Sequence, residues 1–153
     1  MATQRARMVA GNPLRELQAY GQSVWLDYIR RNLITSGELK RLVDEDGLSG
    51  VTSNPTISEK AIAGSTDYDE SLRALFAADP RMETQTLFEQ LAIEDLQMAA
   101  DILRPVYERT EGTDGFVSIE CSPRLAYDTQ ATISEARRLH KAVGKPNVMG
   151  RSR

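Results

Sequence analysis

The stretch "LSGVTSNP", Leu48 to Pro55, decides the fold. Val51 and Thr52 favour extended backbone, and Asn54-Pro55 ends it. The residue before a proline is driven out of the helical region, and the proline has no N–H to offer a ladder. Upstream, "TSGELKRLVDEDG" (Thr35 to Gly47) opens on hydroxyls able to cap a helix, sets Leu39, Leu42 and Val43 on one face, and closes on a glycine. Downstream, Thr56 to Thr110 reads as helix with a break at Pro80, and Leu87, Leu91, Met98, Ile102 and Val106 lie near one stripe. Pro105 is expected to kink or shorten its last turns. A short strand between helical segments calls for parallel partners on either side.

Those partners are present. "SVWLDYI" (Ser23 to Ile29), preceded by a short amphipathic helix over "LRELQAYG" (Leu14 to Gly21), reads as the first strand. "GFVSIECS" (Gly115 to Ser122) reads as the third, "DTQATISEARRLHKAVG" (Asp128 to Gly144) as a capped helix, and "NVM" from Asn147 as the start of a fourth. This alternation predicts an α/β fold of parallel strands joined by helical crossovers. Periodicity alone leaves open whether the sheet is doubly wound or part of a (β/α)8 barrel. No G-x-G-x-x-G or Walker-type loop places a nucleotide.

Composition narrows the function. The 153 residues are 41% hydrophobic and 27% charged, as expected of one globular domain over residues 1–153, and the net charge of -3 is dispersed. No basic face is gathered for nucleic acid or an anionic membrane. No apolar run is long enough to span a bilayer, and the N-terminus lacks the apolar centre of a secretory signal, so a cytoplasmic protein is expected. With one cysteine and one histidine, neither an internal disulfide nor a zinc cluster is expected.

Ligands of parallel α/β folds sit beyond the carboxyl ends of the strands. Polar residues interrupting the strands near those ends are therefore the site candidates. They are Asp27 in "VWLDYI", Thr52 and Asn54 in "GVTSNP", and Glu120 in "FVSIECS". Two carboxylates in low-dielectric surroundings suit acid–base work, and the amide and hydroxyl of Asn54 and Thr52 suit orientation of a polyhydroxylated substrate. Cys121, next to Glu120, is expected to face the other side of its strand as a core thiol, and His140 to be a helix C-terminal charge. Trp25 shares the Asp27 side and is read either as pocket wall or as core, core being preferred, and the charge runs on the helices read as outer, solvated faces.

At these residues the chain resembles the transaldolases, in particular the bacterial form with an N-terminal helical lead-in. "WLD", "GVTSNPT" and "SIECSPRLAYDT" match in order and spacing, and the likeness runs from about Asn12 to Met149. The resemblance implies a partial (β/α)8 TIM barrel of about four strands, the N-terminal half of the family's barrel. It further implies transfer of a dihydroxyacetone unit from sedoheptulose 7-phosphate or fructose 6-phosphate to an aldose phosphate acceptor, in the pentose phosphate pathway, without metal or organic cofactor. Asp27 matches the family's acid–base aspartate, and Glu120 the glutamate that acts through a water. Thr52 and Asn54 match the residues holding the dihydroxyacetone moiety.

The family's imine-forming lysine lies on the fourth strand, in a stretch like "NVMIKIPAT". In this chain Arg151 falls at that position, and a guanidinium that stays protonated has no lone pair for a ketone. Lys60, Lys141 and Lys145 read as surface or loop charges. Residues 150–153 are expected to be an aberrant tail, and the chain to be inactive alone. The alternative expectation is a non-enzymatic half-barrel that self-associates through open sheet edges or complements a C-terminal half.

Overall fold

The computed structural model describes residues 11–151, leaving aside the side chains of residues 55–58, 123 and 151. A short helix, α1 (Pro13–Ala19), leads in. Asn12 caps it by accepting from the Leu14 N–H, and Pro13 sits where a missing N–H costs nothing. Its side chains then tie it down: Asn12 donates to Asp46 at 2.6 Å and Gln18 to the Gly47 carbonyl at 2.9 Å.

Four strands follow, β1 (Trp25–Leu26), β2 (Gly50–Thr52), β3 (Phe116–Glu120) and β4 (Val148–Arg151). They form one parallel sheet in the order β1-β2-β3-β4. That order resolves what periodicity left open. A doubly wound sheet reverses its strand order at a switch point, whereas strands laid down one beside the next are the winding of a (β/α)8 barrel. The chain thus has the α/β fold expected of it, four parallel strands of a partial TIM barrel.

The helices are α2 (Arg31–Thr35), α3 (Glu38–Asp46), α4 (Pro55–Gly64), α5 (Asp69–Ala78), α6 (Thr84–Arg109) and α7 (Thr129–Val143). One sheet face packs against them. Val51, Val117, Ile119 and Val148 are buried there with Leu39, Leu96, Leu103, Leu139 and Val143, each such side chain contributing about 1.5–3 kcal/mol by leaving water. A smaller cluster of Ile62, Tyr68 and Leu91 closes the space among α4, α5 and α6.

Three expectations are corrected. The first strand pairs only over Trp25–Leu26, because Asp27 bends away and Ile29 turns inward to the core. The helix expected over Thr35 to Gly47 is α3 and starts only at Glu38, after Gly37 takes a φ of +84° that glycine adopts without strain, while Thr35 is the last residue of α2, a helix that begins at Arg31. Of the kink or shortening expected at Pro105, the shortening does not occur, since α6 continues to Arg109 with Leu103 and Val106 packed in the core on either side of the proline. At the other end of the sheet, Gly150 and Arg151 pair with Ile119 and Glu120 as part of β4, and residues 152 and 153 lie outside the described residues.

Candidate active site

Side chains alternate across a strand, and residues paired across a parallel ladder share a face. The register therefore sorts the sheet. Leu26, Val51, Val117 and Val148 face the helices, while Thr52, Ser118 and Met149, paired in one row, face the other side. Asp27 lies one residue past Leu26, level with Thr52. One pleat higher stands Glu120, whose backbone partner on β4 is Arg151. One pleat lower, the Trp25 indole lies over Gly50, so closely that a Cβ at residue 50 would sit 2.2 Å from the ring. Trp25 is held there by donating to Ser23, which donates in turn to Asp114. The inner face thus has an aromatic floor and a polar upper surface.

Two predicted site residues meet directly: the Thr52 hydroxyl donates to the Asp27 carboxylate. Thr52 is buried and Asp27 exposed, so the hydroxyl aims the carboxylate from below while leaving it open to a ligand. Glu120 is buried on the same face, and its backbone N–H donates to Ser53 Oγ at 3.2 Å, joining the ends of β2 and β3. Asn54 stands half-buried just beyond β2. A cavity of about 590 Å³ opens beside these strand ends, between α6 and α7; Glu120 lines it, while Asp27, Thr52 and Asn54 do not. The inner face, rather than that cavity, gathers the candidate groups. Cys121 is buried, and desolvation pushes its thiol up, as for a core residue. Among the described residues no group of three or more His, Cys, Asp or Glu could hold a metal ion.

Sequence reasoning missed two things. The first is Ser118, a polar residue alternating with Glu120 in "FVSIE" and so visible as an inward-facing position. The second is the anchor of the segment after Asp27. Arg31, in a stretch between the expected first strand and first crossover helix, is buried. Its Nε donates to Asp95 at 2.6 Å, Nη2 to Glu94 at 2.9 Å and Nη1 to Ser71 at 2.6 Å, while its backbone N–H donates to the Tyr68 hydroxyl at 3.0 Å. Tyr68 donates to the other Asp95 oxygen at 2.7 Å. Burial pushes the Asp95 carboxyl up against the opposing hydrogen bonds from Tyr68 and Arg31, and burial likewise pushes the Tyr68 phenol up. This corrects the reading of all helical charges as outer ones. The cluster pins α2 to α6, and with it the chain four residues beyond Asp27.

A family model described as Transaldolase/Fructose-6-phosphate aldolase matches residues 24–149, which include all four strands up to Met149. The chain belongs to the transaldolase/fructose-6-phosphate aldolase family. Among curated relatives, Transaldolase 2 of Nostoc sp. (strain PCC 7120) is 50% identical over 141 residues, which are 92% of this chain and 36% of the relative. Transaldolase 2 of Nostoc punctiforme is 49% identical over 90% of this chain, and the transaldolase of Trichodesmium erythraeum 46% over 90%, each with 36% of its own length covered. The chain thus spans about a third of the length of the curated transaldolases it matches.

Proposed function

We propose that the inner face of this sheet is the acid–base and orienting part of a transaldolase site. The observation that carries this reading is the Thr52–Asp27 hydrogen bond on one row, with Glu120 one pleat above it on the same face. In this reading the substrates are sugar phosphates such as fructose 6-phosphate or sedoheptulose 7-phosphate. A neutral lysine amine adds to the ketone, water leaves, and the protonated imine takes up the electron pair as the carbon–carbon bond breaks. Asp27 accepts the proton of the hydroxyl that becomes the departing aldehyde. Glu120 handles the water of imine formation and hydrolysis, and Thr52 and Asn54 hold the three-carbon unit. No metal or organic cofactor enters these steps. Among the described residues no helix is long and apolar enough to cross a membrane, and a cytoplasmic location suits such a pathway enzyme.

The amine is what this chain lacks at the matching place. Residue 151 is the backbone partner of Glu120, so a lysine there would enter the row of the glutamate, and this chain has an arginine. The test is borohydride trapping with fructose 6-phosphate, read by peptide mass mapping. The unaltered chain is expected to carry no adduct and Arg151→Lys to carry one at position 151. An adduct on Lys60, Lys141 or Lys145 of the unaltered chain would relocate the site, and no adduct in Arg151→Lys would refute the reading.

A second reading is favoured by the sheet itself. Among the described residues β1 pairs only with β2 and β4 only with β3, and edges with unpaired backbone groups recruit further strands. A half-barrel that self-associates, or that pairs with a complementary C-terminal half, would use them. Light scattering on the eluted chain distinguishes the cases, a single monomeric mass counting against self-association.

A further inference from the structure

We propose that the Ser118 hydroxyl is a further substrate-positioning group, taking a hydroxyl or carbonyl oxygen of the bound polyol rather than its phosphate. The proposal rests on reading the inner face as the substrate face. Ser118 is 1% exposed, and its Oγ is buried without a hydrogen-bond partner among the described residues. Its backbone carbonyl is occupied, accepting from the Ser53 N–H at 2.9 Å. The side chain is therefore a buried donor and acceptor with both capacities open. Native proteins pair the great majority of such atoms, and each exception calls for an account. Alanine would fill the same volume of a strand without the desolvation cost, so packing does not explain a hydroxyl here.

Its position does. Ser118 is the register partner of Thr52 on one side and Met149 on the other, and it lies two residues before Glu120 on the same face. The Thr52 proton is committed to Asp27, which leaves Ser118 as the open hydroxyl of that row. The chemistry of the occupant follows from the charges around it. Asp27 lies level with the Ser118 row, and the one cation of the neighbouring rows, Arg151, is paired in register with Glu120 one pleat away, so the row of Ser118 itself offers no cation to a phosphate. A hydroxyl that gives one hydrogen bond and takes another matches a serine that can do the same. Met149, 38% exposed, is an unbranched side chain able to move aside for a ligand.

The test compares the full chain with Ser118→Ala, using dihydroxyacetone as the probe in calorimetric titration and thermal unfolding as the second readout. Ser118→Ala is expected to bind about tenfold more weakly, the loss of one good hydrogen bond, while its melting temperature stays equal or rises because a buried orphan hydroxyl has gone. Equal affinity in the two proteins overturns the Ser118 assignment and leaves the wider reading intact. A lower melting temperature with unchanged affinity overturns it in favour of a structural water. Absence of binding by the unaltered chain overturns the substrate face itself, and Ser118 with it.

Discussion

Two polar clusters adjoin the end of β1, and they are built in opposite ways. On the helical side, Arg31, Tyr68 and Asp95 are buried and closed on one another: both Asp95 oxygens accept, the Tyr68 hydroxyl both gives and takes, and each guanidinium nitrogen of Arg31 donates. On the inner face, Thr52 reaches an exposed Asp27, and the buried Ser118 hydroxyl has no partner among the described residues. A closed network of buried charge fixes one arrangement of helices. A row with open hydrogen-bonding capacity loses stability instead, and such a loss is tolerated where a ligand completes the row. On the proposed reading of the inner face, the contrast separates residues that hold the scaffold from residues placed to meet a substrate.

The largest expected effect comes from breaking the closed cluster. Asp95→Ala would leave Arg31 with only the half-exposed Glu94 as counter-charge and would strand the Tyr68 hydroxyl. Removing one partner of a buried ion pair typically costs about 3–5 kcal/mol, so the urea midpoint should fall steeply or the chain should fail to fold. The double variant Arg31→Met/Asp95→Leu removes both charges together and should lose less than Asp95→Ala alone. If the double variant is the less stable of the two, the cluster is not the closed ion pair described here.

The same contrast explains how much could be read from sequence. The strands at Gly50–Thr52 and Phe116–Glu120 follow from β-branched runs bounded by turn residues, and α7 from Asp128, which caps it, and Gly144, which stops it at a φ of +63°. Asp27, Thr52 and Glu120 were visible because polar residues interrupt apolar runs at a period of two, the signature of an inner face. The Arg31 cluster was not, because its members come from separate segments: Arg31 and Asp95 are 64 positions apart. A charged residue on a helix looks the same in sequence whether its partner is water or a buried carboxylate. The break at Gly37 was hidden for a related reason, since "TSGELK" offers a cap at either hydroxyl and only the packing of Ile34 and Leu39 into one core selects two helices.

The smallest expected effect lies on the open side, and it sharpens the distinction most. Thr52→Val keeps the shape and β-branching of the side chain but removes the proton given to Asp27. Asp27 is exposed, so water replaces the lost donor. The stability cost should then stay near or below the roughly 0.5–1.5 kcal/mol of an ordinary hydrogen bond, well under that of Asp95→Ala in the same urea series. Binding should respond differently, because the carboxylate is no longer aimed and its row has lost a hydroxyl. Dihydroxyacetone affinity is expected to fall by about tenfold or more, while Asp95 variants that stay folded should bind in proportion to their folded fraction. If Thr52→Val unfolds the chain as readily as Asp95→Ala, the hydroxyl serves the scaffold, and the two clusters are alike after all.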